Sequence, residues 1–230
     1  MIRLAKKEDW PLISEVSKRS GYEDYINYLG PAFLDEGEVL VYEDTRIRAF
    51  TKIEHLPDNS IWLSGLRVDP DYWRKGIGTM LTDASIERGV QKGCTAARLL
   101  IYEDNFRSLR LAEKGGFVRI EKFDFFEGVP DTTGFTRGLI ETDGLVNLGW
   151  KFMMSAGPHK LTAESYEEDG WKIISTNERT FQICSMGRMQ ISFKEGGFTC
   201  ARSSLVTNSL LNPFKIEGFS SGFVLEKRLK

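Results

Sequence analysis

Hydrophobic positions in the first half of the chain alternate between the two-residue period of strands and the three-to-four-residue period of helices. Leu12, Ile13 and Val16 share one face of the first predicted helix. Turn residues at 43–45 and 56–59 separate three consecutive strands, which predicts an antiparallel meander. An aromatic-rich stretch at 21–33 favours a helix. The predicted elements are strands at 2–5, 38–42, 46–55, 60–68, 96–102 and 117–126, and helices at 10–20, 76–92 and 105–114.

From Gly128 onward the pattern is that of short strands and turns. The predicted strands lie at 171–175, 180–185, 189–193, 197–201 and 223–227. We therefore expect an α/β domain at 1–130, with helices on both faces of a mixed, twisted sheet, and a β-rich domain at 131–230. Two alternatives stay open for the second half: its final strand returns to the first sheet, or residues 140–230 are a degenerate second copy of part of the fold. A separate domain is favoured, which would shape an acceptor site or form a homodimer through strand edges.

The composition is that of an ordinary globular protein, with 41% hydrophobic and 28% charged residues in 230. The net charge of −2 gives no general attraction for nucleic acid, so any phosphate site must be local. No apolar run approaches the length of a membrane span, and the N-terminus lacks the apolar core of a signal peptide. The three cysteines have no metal-ligand spacing, and their odd number argues against a disulfide framework. We expect a cytoplasmic protein without metal, nucleic-acid or membrane partners.

A candidate diphosphate site follows the third strand of the meander. Arg74 and Lys75 directly precede two glycines, Gly76 and Gly78, which open the next helix. The first amides of a helix lack acceptors and its dipole adds positive potential, so this point attracts phosphate. Glycines allow close approach of the backbone to phosphate oxygens, although they could also serve only to pack the helix tightly on the sheet.

Two other phosphate-binding motifs do not fit this loop. A dinucleotide-binding fingerprint needs a third glycine where Leu81 stands. A P-loop needs glycine before lysine, whereas Lys75 precedes Gly76.

A second segment narrows the identity of the ligand. Asn105 is placed to cap a helix that ends at Gly115-Gly116, just before Phe117 begins a strand. The order of glycine loop, helix, strand, asparagine, helix and Gly-Phe resembles the GNAT superfamily of acyl-CoA-dependent N-acetyltransferases. The phosphate loop of that family reads Gln/Arg-x-x-Gly-x-Gly/Ala, and its later motif reads Asn-x-x-Ala-x-x-x-Tyr-x-x-x-Gly-Phe. The resemblance covers about residues 1 to 126.

The resemblance implies that acetyl-CoA is the co-substrate. Loop amides would bind its pyrophosphate, the end of the preceding strand would pair with its pantetheine arm like an added strand, and Asn105 and Ser108 would contact that arm. The two central strands of the family diverge where the thioester lies, an amine attacks directly, and backbone donors stabilise the oxyanion. The implied cofactor-binding residues are Leu66, Arg67, Val68, Trp73, Arg74, Lys75, Gly76, Ile77, Gly78, Thr79, Asn105 and Ser108.

Two residues depart from the family pattern. Trp73 stands where the family often has Gln or Arg, and Ala112 stands where many members have a tyrosine that protonates the departing thiolate. Tyr102 and Tyr72 are the neighbouring candidates for the acid, unless water serves. The departure at Ala112 also keeps a second function class open, a module that binds acyl-CoA without turnover.

The general base is equally open. Trp62 and Ser64 stand where some members carry a glutamate, so Glu54 or His55 on the adjacent strand would act through a water molecule. The acceptor is a small-molecule amine or a peptide N-terminus, and nothing in the composition narrows it further.

Overall fold

The computed structural model describes residues 1–21, 25–206, 211, 216 and 221–230. Part of the aromatic stretch predicted as helical, residues 22–24, lies outside them. The α-helices are α1 (Trp10–Arg19), α2 (Tyr25–Leu29), α3 (Ile77–Gln91) and α4 (Phe106–Lys114). The strands are β1 (Ile2–Leu4), β2 (Glu38–Asp44), β3 (Arg46–Leu56), β4 (Ser60–Val68), β5 (Ala96–Tyr102), β6 (Val118–Pro130), β7 (Thr136–Glu141), β8 (Gly144–Asn147), β9 (Phe152–Ser155), β10 (Thr162–Glu168), β11 (Trp171–Asn177), β12 (Thr180–Ser185), β13 (Phe193–Arg202) and β14 (Ser221–Arg228).

The chain divides into two compact units. The first comprises residues 1–99, 110–117 and 226–230, and the second comprises 100–109 and 118–225. Strands β5 and β14 and helix α4 therefore each have residues in both units. Within the described residues, no helix is long and apolar enough to span a membrane.

The first unit is built on a mixed sheet with the order β1-β2-β3-β4-β5. Strands β2, β3 and β4 pair antiparallel in sequence, so the predicted meander is confirmed. Strand β4 then pairs parallel with β5, and α3 is the crossover between them.

Helices cover both faces of this sheet, as the sequence predicts. Val39 and Val41 of β2 pack in one core cluster with Ile13 and Val16 of α1. Glu38, which neighbours Val39 and therefore points to the other face, binds Arg88 of α3 and Lys92, the residue that follows α3. The alternation of β2 thus places α1 and α3 on opposite sides.

A buried charge network lies at the start of β4 and β5. The Arg98 guanidinium donates to Asp58 Oδ2 at 2.5 Å and to Glu226 Oε2 at 2.8 Å. Ser60 Oγ completes the network by donating to Asp58 Oδ1 at 2.6 Å. All three charged side chains are less than a tenth exposed. The last residues of the chain are thereby tied to the first unit.

The second unit is rich in strands, with the sheet order β6-β13-β12-β11-β10-β7 and a separate β8-β9 pair. The strands predicted at 171–175, 180–185, 197–201 and 223–227 are confirmed. The strand predicted at 189–193 is wrong except for Phe193, which begins β13. The carbonyl of Met189 accepts the indole N–H of Trp171 at 3.0 Å, a side-chain contact that sequence periodicity does not reveal.

Candidate functional site

Strands β4 and β5 stay paired over only three residue pairs, from Ser60 with Ala96 to Trp62 with Arg98. Strand β4 continues to Val68, and its pairing with β3 is interrupted by a bulge near Gly65. Gly65 has φ +61°, and a Cβ there would lie 3.2 Å from the ring of Phe33. The bulge therefore requires glycine, and among the residues that the structure describes the end of β4 has no paired strand on the β5 side.

Val68 presents its backbone polar groups to this unpaired edge. Asp69 N donates to Arg48 O at 2.8 Å, one step beyond the Val68–Ala49 pair. In an antiparallel ladder, bonds in those positions flank a non-hydrogen-bonded pair. The N–H and C=O of Val68 therefore point away from β3, as an added strand would require.

The turn after β4 is held by Asp69, a residue that the sequence analysis did not single out. Its side chain is 1% exposed, accepts from the Asp71 backbone N–H at 3.1 Å and binds both Arg19 at 2.9 Å and Arg48 at 3.3 Å. Arg19 also binds Asp71, and this hydrogen bond holds the pKa of the Asp71 carboxyl below its usual range. An Asp-Pro pair, as at Asp69-Pro70, is a sequence signal for a turn of this kind. The two arginines that bind Asp69 are distant in sequence, so the signal does not reveal them.

The loop then turns into α3 through two left-handed residues, Arg74 at φ +63° and Gly76 at φ +77°. The first bond of the helix runs from Met80 N to Gly76 O at 3.0 Å. The N–H groups of Ile77, Gly78 and Thr79 precede it and have no acceptor within the helix. This is the predicted arrangement of amides at a positive helix end.

The two glycines of the loop serve different purposes. A Cβ at Gly76 would meet nothing within 4 Å, so glycine is needed there for its backbone conformation. Gly78 has ordinary helical geometry, but a Cβ would lie 3.2 Å from Leu111 and 3.7 Å from Leu66. The missing side chain of Gly78 therefore makes room for helix packing, the alternative that the sequence left open.

The cations of the loop differ in their surroundings. Arg74 is exposed, whereas Lys75 Nζ lies 4.2 Å from the ring centre of Tyr72. The Tyr72 hydroxyl donates to Asp44 at 3.0 Å, and this bond raises the pKa of the phenol. Tyr72, the second candidate acid, is thus a weaker acid than a free tyrosine.

The base candidates lie near the last β4–β5 pair. Glu54 is half-buried and stands directly opposite Trp62, so the two side chains share a face of the sheet. His55 is exposed and points to the other face, where its ring nitrogens lie 3.5 Å from Cys94 Sγ and 3.5 Å from Glu38. The six residues from Trp62 to Val68 correspond to about 20 Å of strand, which separates these candidates from the loop.

The remaining predicted residues belong to the second unit. Tyr102 ends β5 and is half-buried. Asn105 Oδ1 accepts from Ser108 N at 3.1 Å, which confirms the predicted cap of α4. Asn105 and Ser108 are also half-buried.

Ala112 lies in the part of α4 that belongs to the first unit. It is 5% exposed, and its carbonyl accepts from Phe117 N at 3.1 Å. The position where the family pattern has tyrosine is therefore a buried methyl group with no proton to give.

Comparison with known proteins identifies the first half of the chain. A family model described as "Acetyltransferase (GNAT) family" matches residues 4–117. No curated protein sequence matches the chain significantly. A crystal structure of a candidate acetyltransferase from Thermoplasma acidophilum shares 19% identity at a TM-score of 0.57, with 99% of each chain covered.

Two further solved structures match about half of the chain. The ribosomal-protein-S18-alanine N-acetyltransferase from Escherichia coli is 20% identical at a TM-score of 0.49, over 56% of this chain and 84% of its own. The PaiA N-acetyltransferase from Thermoplasma acidophilum, in complex with coenzyme A, is 21% identical at a TM-score of 0.46, over 53% of this chain and 91% of its own.

Proposed function

Because residues 4–117 form a GNAT-family acetyltransferase domain, we propose that the protein is an acetyl-CoA-dependent N-acetyltransferase acting on a primary amine. The observation that carries the proposal is the junction of β4 and α3 in the first unit. A strand edge that faces away from β3 is followed, at the start of α3, by three amides that have no acceptor within the helix. The expected fold class, a GNAT-like α/β fold with a strand-rich second half, is confirmed.

The hydrogen-bonding groups at this junction suit the chemical groups of coenzyme A, and they are arranged in the same order as those groups. Amides of Ile77, Gly78 and Thr79, with Arg74 and Lys75 beside them, suit a diphosphate. The outward edge at Leu66–Val68 suits an extended arm that contains amides. Asn105 and Ser108 are proposed as additional contacts to that arm.

Acetyl-CoA supplies an acyl group activated as a thioester. The role proposed for the end of β4 is to orient that group and polarise its carbonyl with backbone donors. Glu54 is proposed to take the proton of the amine through a water molecule, since its half-buried carboxylate lies opposite Trp62 at the last β4–β5 pair. Tyr102 is proposed as the acid for the leaving thiolate, because Ala112 has no proton to give.

The acceptor is proposed to be a small-molecule amine or a peptide N-terminus. Residues 131–230 are proposed as a β-rich domain that shapes the acceptor site or forms a homodimer. The three cysteines are all free, which suits a reducing compartment such as the cytoplasm.

Thiol release from acetyl-CoA, measured with a panel of amines and peptide N-termini, tests the activity. We expect release that depends on at least one acceptor. Coenzyme A at millimolar concentration should also raise the melting temperature. Coenzyme binding without turnover on any acceptor would favour an acyl-CoA sensor, for which the buried Ala112 is the supporting observation.

A charge variant tests whether the loop carries the binding. Lys75→Glu should weaken the thermal shift because it places a carboxylate beside the diphosphate, and Arg74→Glu should do the same. Lys18→Glu, at an exposed position on α1, is the matched control and should leave the shift unchanged. Equal shifts in all three variants would contradict the assignment of the loop.

A further inference from the structure

Trp73 folds back onto the strand edge that the proposed function assigns to coenzyme A. Its backbone N–H donates to Pro70 O at 3.1 Å, which fixes the residue at the end of a short turn. Its indole Nε1 donates to Val68 O at 2.7 Å. The ring remains 39% exposed. A bulky aromatic donor is therefore bound to β4 beyond the last residue pair that the strand forms with β5.

The acceptor of this bond is one that an added strand would use. The Val68 carbonyl points away from β3, because Val68 and Ala49 form a non-hydrogen-bonded pair. A donor from an added strand would approach that oxygen to about 2.9 Å. Trp73 Nε1 already lies within that distance of the Val68 carbonyl oxygen, and the rest of the indole ring lies beside Nε1.

The neighbouring carbonyl is also used from within the chain. Leu66 O accepts from Arg67 Nη1 at 2.9 Å. Both carbonyls thus already have donors, whereas the outward N–H of Val68 has no partner strand. At this edge of β4, the Val68 N–H donor is therefore more available to a ligand than the carbonyl acceptors of Leu66 and Val68.

We propose, on the basis of the proposed function, that Trp73 is a gate on the coenzyme path. Its indole N–H occupies the Val68 carbonyl and is displaced when an amide of the pantetheine arm pairs with that strand. Trp73 would then be a positioning residue that opposes coenzyme binding, in contrast to the phosphate-binding role of the Gln or Arg that the family pattern has there. The diphosphate contacts at α3 do not involve this bond, so the gate acts on the arm alone.

The variant Trp73→Phe keeps an aromatic ring and removes the donor. Because one hydrogen bond no longer has to be broken, coenzyme A should bind about two- to tenfold more tightly in calorimetry. Adenosine 5′-diphosphate, which has the diphosphate without the arm, should bind equally to both proteins. Trp150→Phe, at an indole that is 36% exposed in the second unit, is the control and should change neither affinity.

A spectroscopic readout separates displacement from general loosening of the loop. With ¹⁵N-labelled indoles, the Trp73 Nε1–H signal should shift and exchange faster with water when coenzyme A is added, and should stay unchanged with adenosine 5′-diphosphate. Weaker or equal coenzyme A binding by Trp73→Phe, an equal gain for both ligands, or an indole signal insensitive to coenzyme A would each overturn the gate. Failure of the wild-type protein to bind coenzyme A would overturn the proposed function as well, whereas the other outcomes leave that function standing.

Discussion

Replacement of Gly76 tests whether the loop depends on a left-handed backbone. Gly76 has φ +77° and ψ 1°, and a Cβ would meet no atom within 4 Å. Alanine therefore adds no clash, and its cost is the left-handed conformation alone, about 1–2 kcal/mol. Asparagine adopts this conformation more readily, so Gly76→Asn should cost less than Gly76→Ala.

The cost can appear in two measurements. If the rest of the protein holds the loop, Gly76→Ala lowers the free energy of unfolding by the full amount. If the loop relaxes instead, the strain returns on binding, and the Kd for coenzyme A rises about 5- to 30-fold for the same energy. The sum of the two losses should stay near 1–2 kcal/mol, because both draw on one conformational penalty.

Urea unfolding with and without saturating coenzyme A, together with calorimetric Kd values, measures both parts. We expect the summed loss in unfolding and binding free energy to be larger for Gly76→Ala than for Gly76→Asn, with wild-type Gly76 as the reference. The reasoning is refuted if alanine equals or exceeds asparagine, or if alanine is neutral in both measurements.

Three further substitutions test the surroundings of the site. Gly78→Leu should destabilise the fold by about 1–3 kcal/mol through overpacking against Leu111, and Gly78→Ala, which gains helix propensity, should cost much less; equal urea midpoints for both would contradict the packing role. Arg98→Met should cost about 3–5 kcal/mol in urea unfolding because the buried carboxylates of Asp58 and Glu226 both lose the Arg98 cation, with Glu226 keeping its pair with Arg228; a loss below about 1 kcal/mol would count against the network. The Arg19 hydrogen bond should keep the pKa of Asp71 below that of an unperturbed aspartate in an NMR titration, so its stabilising effect is present where an unfolded aspartate is ionised and is lost as the pH falls through the lowered pKa. Arg19→Gln should move the titration midpoint to higher pH, and no movement would exclude the pairing.

Local pattern predicted the elements of the first unit well. Strands β4 and β5 have the predicted bounds, and α3 differs by one residue at each end. These segments combine a clear period with glycine or turn residues at both ends, so propensity and tertiary structure agree. The loop between β4 and α3 could be assigned for the same reason.

The second unit was harder to predict because several of its strands lack a periodic signal. Strand β7 is exposed along nearly its whole length, and β8 and β9 have four residues each. The sequence pattern predicts no strand over 136–168, although the chain forms four strands there. Their position depends on pairing with other strands, β8 with β9 and β7 with β10, and on side-chain context that a local hydrophobic period does not encode.

Contacts between distant residues also limit what could be predicted of the site. Asp69 and Arg19 are 50 residues apart in sequence, so nothing local indicates that the turn is fixed from α1. The indole of Trp73 bonds backward to Val68, and its side-chain direction does not follow from the loop motif. The sequence indicates which chemistry the loop offers, but not which of its groups are already engaged.

The buried network around Arg98 has a consequence for synthesis of the chain. Arg98 and Glu226 are 128 residues apart, and the whole of the second unit is translated between them. A nascent chain that has completed β5 would thus hold Arg98 with only Asp58 as a carboxylate partner. Closing so long a loop is slow and entropically costly. The Arg98–Glu226 ion pair of the first unit can therefore form only after the second unit has been synthesised, even though the first unit contains the beginning of the chain.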